Sequence, residues 1–218
     1  MKRIIILGGR GDGLVVASCI EDIITVTKEK ISLLGFLNDS GEDKINEYRV
    51  LGPLKDASSF SNQEDLFFVS ALLKVKRSYA RSMLINSLNI SLSKFITIIH
   101  PTATVAKSAK IGSGTVIGPH VTIMPNVKIG NHCSIRASAN IGHDCILEDF
   151  CYMGPNSSLA GRSKMAIGAH LGANSSVLDS KVLGAYSVVG ISSGVVRNVN
   201  SFDVVFGCPA RKIGKAYK

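Results

Sequence analysis

No tryptophan occurs among the 218 residues, and aromatic side chains make up only 6% of them. An interior with so few large rings has to be narrow and filled by small, uniform side chains. Acidic residues are also scarce, 16 against 25 Lys and Arg, leaving a net charge of +9. A positive balance fits nucleic acid, a membrane surface or phosphorylated small ligands. The basic residues are dispersed, as Lys28, Lys74, Lys107, Arg211 and Lys218 illustrate, and no helix-turn-helix or RNA-binding signature accompanies them. A phosphate-bearing ligand is therefore expected and nucleic acid is not. No run of about 18 apolar residues exists, so no membrane span is expected. The apolar run after Met1-Lys2-Arg3 has no small-residue cleavage site behind it, which points to a cytoplasmic protein without a signal peptide.

What the chain has is a rhythm. From Ile99 to Val195 every sixth residue is Ile, Leu, Val or Met, 17 positions without a slip. A period of six fits neither a helix nor an amphipathic strand. It is the mark of a parallel β-helix built from hexapeptides. Three hexapeptides close one triangular coil of 18 residues, with the aliphatic pointing inward. Five to six coils at about 4.8 Å each give a prism roughly 27 Å tall. Gly often follows the aliphatic, as at Gly112, Gly130, Gly142 and Gly154, where it is expected to permit the sharp corner. Cys133, Cys145 and Cys151 fall four residues after the aliphatic, where Ala, Ser, Thr and Val mostly stand, and read as core filler. Cys133 and Cys151 are 18 apart and stack on successive coils, but a reducing cytosol argues against a disulfide.

Residues 1–98 read differently. Strands at Arg3–Leu7, Ile31–Leu37, Leu66–Val69 and Phe95–Ile99 alternate with helices at Leu14–Ile24 and Lys74–Leu88, which implies a small parallel α/β sheet of Rossmann-like type. The division expected is an α/β unit over 1–98 and a β-helix over 99–218. The first is expected to cover one end of the prism, and the tail from Phe202 the other.

Four sequence elements carry a family likeness: Ile5-Ile6-Leu7-Gly8-Gly9 with Gly11-Asp12-Gly13-Leu14, the junction His100-Pro101-Thr102-Ala103, Ile141-Gly142-His143-Asp144-Cys145, and Phe206-Gly207-Cys208-Pro209-Ala210. With these the chain resembles the hexapeptide-repeat sugar acetyltransferases, in particular the sialic acid O-acetyltransferase group and its relatives that N-acetylate UDP-4-amino sugars and GDP-perosamine. The resemblance implies a left-handed β-helix, a homotrimer with acetyl-CoA between neighbouring solenoids, and a role in bacterial surface glycan (lipopolysaccharide) synthesis.

Acetyl transfer from a thioester to an amine or hydroxyl needs a base for the acceptor's proton and a donor for the oxyanion. His143 lies two residues after inward Ile141, so its ring projects outward near a corner, and Asp144 is placed to orient it. The resemblance gives the same pair. Backbone N–H groups at a helix start can hold a phosphate. The resemblance assigns Gly9, Arg10, Gly11, Asp12, Gly13, Asn38 and Asp39 to the nucleotide sugar. Asp12 stands where many relatives have His, and Arg136 where relatives have a small amide near the acceptor. A cation there would repel a substrate ammonium unless it is paired. For acetyl-CoA the resemblance points to Tyr152, Gly161, Ala173 and Ile191, with Arg211 and Lys212 available to its phosphates. His100 reads as a junction residue, and His120, His132 and His170 as outer-face residues. No two histidines are 18 apart, so no metal is expected within the chain. Alternatives are O-acetylation of a sialic-acid-type sugar, a non-catalytic structural solenoid, or a zinc lyase.

Overall fold

A computed structural model of the chain describes residues 1–73 and 75–217. Lys74 and Lys218, counted above among the dispersed cations, lie outside the described residues, as does the expected helix start at Lys74. The N-terminal unit runs β1 (Lys2–Leu7), α1 (Asp12–Thr27), β2 (Ile31–Leu37), β3 (Lys44–Ile45), β4 (Tyr48–Gly52), α2 (Ala57–Phe60), β5 (Leu66–Ser70) and α3 (Ser78–Ser87). Its sheet order is β3-β4-β2-β1-β5, with β1 parallel to both β2 and β5. The Ile4–Leu7 run is wholly buried because both faces of β1 are covered. Ile4 and Ile6 meet Val16, Ile20 and Ile23 of α1, while Ile5 and Leu7 meet Phe68, Ile85 and Leu88. The short hairpin β3–β4 was not expected, because only Ile45 of its polar sequence is buried in β3.

Phe95–Ile99 is not a strand of this sheet. Phe95 makes a single bridge to Phe68, and Ile98–Ile99 pairs instead with Val116–Ile117 as the first rung of the solenoid. Ile98 joins the α/β core, whereas Ile99 is 38% exposed.

From that rung the chain winds as three parallel sheets, with residues pairing 18 places on until the last rungs, where Val188–Val189 pair with Val204–Val205 and Leu183 bridges Val199 at a spacing of 16. The first face holds Ser134–Ile135, Tyr152–Met153 and His170–Leu171, the second Asn140–Ile141 and Ser158–Leu159, and the third Ile146–Leu147 and Lys164–Met165. The sixth-residue aliphatics from Ile117 to Val195 form one buried core. Ile99, Val105 and Ile111 are less buried, because the α/β unit does not cover that end as expected. It packs on the flank. Arg81 donates to the His132 carbonyl at 2.7 Å, Asp22 meets His100 Nε2 at 2.9 Å, and Phe95 and Phe150 enclose the His132 ring. Val199, Val205 and Ala210 close the far end of the core. The last strand, Arg211–Lys215, runs antiparallel to Asp203–Phe206, where buried Asp203 pairs with Lys212 at 3.0 Å and Lys215 at 2.7 Å.

Two features of the corners differ from expectation. The left-handed residue lies three places after the aliphatic, at Asn126, Asp144, Asn156 and Asn174 among others, and not at the glycine directly after it. That glycine is needed for clearance. A Cβ on Gly142 or Gly154 would stand 2.6 or 2.5 Å from a backbone nitrogen of the next coil. The slot of Cys133, Cys145 and Cys151 does more than fill space. Each thiol donates to a carbonyl 15 residues on, at 3.1–3.3 Å, as do the hydroxyls of Thr115 at 2.8 Å and Ser175 at 2.6 Å. Every cysteine is a free thiol.

His132 and His170 lie on the outside of the solenoid as expected, but both are buried, because the α/β unit covers that face. Burial, reinforced by the Arg81 charge, pushes His132 down to about 4 from an ordinary 6.5. Between those values the unfolded chain binds the extra proton. His132 therefore contributes stability that is complete above pH 6.5 and lost as pH falls toward 4. Urea melts between pH 7 and 5 should show His132→Phe flattening this loss by roughly 1 kcal/mol per pH unit below 6.5. An unchanged slope would refute the burial argument. Gly154→Ala should cost about 1–3 kcal/mol, because the coils must part, whereas Gly214→Ala, with open space around its Cβ, should be close to neutral in the same melts.

Candidate active site

The corner between the second and third faces carries His143. Its ring is about half exposed, and Nδ1 lies 2.7 Å from Asp144 Oδ2. Asp144 is in the left-handed conformation at φ 59°, a backbone state that Asp tolerates. Asn126, one coil earlier, donates to its other oxygen at 3.0 Å. These two hydrogen bonds, His143 first, hold the Asp144 carboxyl below the usual carboxylate range. An ionised Asp144 accepts a hydrogen bond from Nδ1–H, which leaves the Nε2 lone pair free. Gly161, one coil later, lies beneath the ring, and a Cβ there would stand 2.8 Å from Nε2.

A cavity of about 260 Å³ opens elsewhere, between the α/β unit and the first face. Tyr152, Ala173 and Ile191 line it from the solenoid, and Asp12 and Arg81 from the other side. The floor is a ladder of stacked groups. The Arg136 guanidinium lies 5.8 Å from the centre of the Tyr152 ring, which stacks on His170 at 4.3 Å. Buried Arg136 forms an ion pair with Asp12, so α1 and the solenoid are joined through opposite charges. His170 is pushed down to about 4, by burial first and by Arg81 second, and is a neutral imidazole at neutral pH.

A second cavity, about 330 Å³, continues along the glycine loop and is lined by Gly8, Gly9, Arg10, Asp12, Arg77 and Arg81. Three glycines are required here for different reasons. Gly11 has φ 76°, a Cβ on Gly9 would meet the Asn38 amide at 2.6 Å, and one on Gly13 would meet Phe36 at 2.8 Å. Arg10 is held by Glu42 at 2.9 Å. Asn38 and Asp39 are not brought into this cavity and line a separate, acidic depression with Glu42 and Asp43. There Asp39 accepts the Leu54 N–H at 2.8 Å. Gly161 stays with His143, away from Tyr152. Arg211 is exposed on the last strand, and Lys212 is engaged by Asp203.

Asn126, Arg77, Arg81 and His170 were missed as site residues. Asn126 was legible, since it precedes Asp144 by one 18-residue coil. Arg77 and Arg81 share a helix face at a spacing of four, a weak signal in a chain rich in cations. Among the described residues no three His, Cys, Asp or Glu side chains cluster as a metal site would require, and no helix is long and apolar enough to cross a membrane.

Residues 108–143 match the family described as bacterial transferase hexapeptide (six repeats). The UDP-N-acetylbacillosamine N-acetyltransferase of Bacillus subtilis (strain 168) is 33% identical over 119 residues, 54% of this chain and 51% of that protein, so the matched part spans about half of the curated relative. Among solved structures, a perosamine N-acetyltransferase variant from Caulobacter crescentus, in complex with CoA and GDP-perosamine, superposes with a TM-score of 0.85 at 24% identity, covering 99% of this chain and 98% of that one. The acetyltransferase domain of PglB from Neisseria gonorrhoeae, in complex with acetyl coenzyme A, gives 0.83 at 23% identity, with 97% and 99% covered. Over 108–143 the chain thus matches the hexapeptide repeat of bacterial transferases, and it shares the fold of acetyltransferases solved with CoA or acetyl-CoA.

Proposed function

We propose that the protein transfers an acetyl group from acetyl-CoA to the amine of a nucleotide-linked amino sugar, with His143 as the general base. The observation that carries this reading is the exposed His143 whose Nδ1 is bound to Asp144, itself fixed by Asn126. The acceptor nitrogen attacks the thioester carbonyl as His143 Nε2 takes its proton, and Asp144 stabilises the resulting imidazolium. Collapse of the tetrahedral intermediate breaks the C–S bond, and CoA leaves as thiolate, to which the imidazolium can return the proton. A backbone N–H near the corner serves the oxyanion. The chemistry needs no metal.

His143 and the 260 Å³ cavity lie on different edges of the prism. Met124, Leu178 and Val196 stand in one column beside His143 and are 43%, 53% and 44% exposed, a surface suited to a second copy of the chain. Side-by-side packing of three left-handed solenoids would set the His143 of one subunit against the Tyr152, Ala173 and Ile191 groove of the next. Acetyl-CoA would lie in that groove with Arg211 and Lys212 near its phosphates. The Rossmann-like unit, 1–98, would hold the nucleotide sugar through Gly9–Gly13, with Asn38 and Asp39 at the outer rim, and the solenoid, 99–218, would carry the chemistry. The pairing of Arg136 with Asp12 favours an amine acceptor, because it takes up the cation that would repel an ammonium. The setting that fits is cytoplasmic synthesis of a bacterial surface glycan such as lipopolysaccharide.

Thiol release from acetyl-CoA, measured with a panel of nucleoside-diphosphate amino sugars and with free sialic acid, tests the reading. Turnover only with sialic acid would replace it by O-acetylation, and no turnover or CoA binding at all would sink it. His143→Ala should lower kcat by about 10²–10⁴-fold with the assembly intact, and full activity would remove His143 from the mechanism. Gly161→Ala, which crowds Nε2, should reduce kcat at least about tenfold while KM for acetyl-CoA changes little. An equal rise in KM with kcat unchanged would mean that Gly161 serves binding alone.

A further inference from the structure

Arg81 of α3 is 7% exposed, yet no carboxylate among the described residues pairs with it. Its guanidinium donates to the His132 carbonyl at 2.7 Å, approaches that of Phe150 at 3.5 Å, and leaves Nε without a partner. The Phe150 ring, 5.8 Å away, is its other neighbour of note. Carbonyl dipoles and a ring face offset a buried cation only in part. The uncompensated charge is felt locally, since it helps to push both His132 and His170 down to about 4. Arg81 also lines both cavities at their junction. The one carboxylate lining either cavity, Asp12, is already committed to Arg136. Arg10 and Arg77 add positive charge to the second cavity, beside the main chain of Gly8 and Gly9.

We infer that Arg81 is the anion anchor of the acceptor, taking its diphosphate at the junction of the two cavities. A guanidinium matches phosphate oxygens in a fork that an ammonium cannot reproduce. A diphosphate seated there in the second cavity directs the attached sugar past Asp12 into the first, toward Tyr152. The inference rests on the nucleotide-linked acceptor proposed above and adds the residue that selects for its charge.

Isothermal titration of the full-length protein with GDP, UDP, inorganic pyrophosphate, the free nucleosides and CoA tests it. Arg81→Gln should weaken nucleoside diphosphate and pyrophosphate binding about tenfold or more, leave CoA within about twofold, and Arg81→Lys should recover only part of the loss. Because Arg81→Gln could unfold the flank, an NMR titration of His170 in the unmodified protein gives a second readout. A bound nucleoside diphosphate should raise its pKa by neutralising Arg81, and a nucleoside should not. Equal diphosphate affinity in Arg81→Gln, a loss confined to CoA, or an unmoved His170 titration overturns the inference while leaving the acceptor reading in place. Failure of any nucleoside diphosphate to bind the unmodified protein overturns both.

Discussion

Up to the last coil, where the spacing shortens to 16, each solenoid residue stacks on the residue 18 positions away, and everything else in the molecule depends on that register. At several corners, Gly142 and Gly154 among them, the main-chain ladder between coils leaves no room for a Cβ directly after the aliphatic, which is why glycine recurs there. It leaves a left-handed corner two residues later, which Asp144 occupies. It also turns the small slot into a set of pins, in which a thiol or hydroxyl on one coil donates to a carbonyl on the next. The His143–Asp144 pair, placed on such a corner, inherits its rigidity. Asn126 one coil before, Gly161 one coil after and the αL turn at Asp144 together leave His143 little freedom except outward.

The α/β unit is bound to the flank of this prism and not to its end. Its attachment is made by side chains that would be costly to bury alone: Arg81 on two carbonyls, His132 between two rings, His100 on Asp22, and Arg136 on Asp12. Between these ties lie the two cavities. The chemistry of the seam is thus graded, cationic along the glycine loop, charge-paired at Asp12, and apolar with stacked Tyr152 and His170 toward the solenoid. That gradient suits a ligand with an anionic end and a sugar-like middle.

Much of this was legible in the chain and some was not. Period six identifies the coils because inward aliphatics have to recur at each face, and His143 follows from its offset to Ile141. The same arithmetic extended by 18 would have found Asn126 and the contact of Gly161 with His143. The role of glycine was misjudged because its freedom of φ was considered and its lack of a Cβ was not. Ile98 and Ile99 read as the end of a strand of the α/β sheet, since two adjacent isoleucines do not reveal that they pair with Val116–Ile117 as the first rung of the solenoid while Ile98 joins the α/β core. The flanking position of the α/β unit, the burial of His132 and His170, and the isolation of Arg81 arise from tertiary contacts between the α/β unit and the solenoid, for which neither periodicity nor motif carries a signal.

The central claim is that the base of one solenoid serves the groove of another. Mixed assembly of two inactive variants, His143→Ala and Ala173→Trp, tests it most directly. A shared site places an intact His143 against an intact groove in part of the mixed assemblies, so acetyl transfer should return to about a quarter of the unmodified level after equal mixing and random reassembly. Activity that stays at the sum of the two variants after subunit exchange has been verified would contradict it.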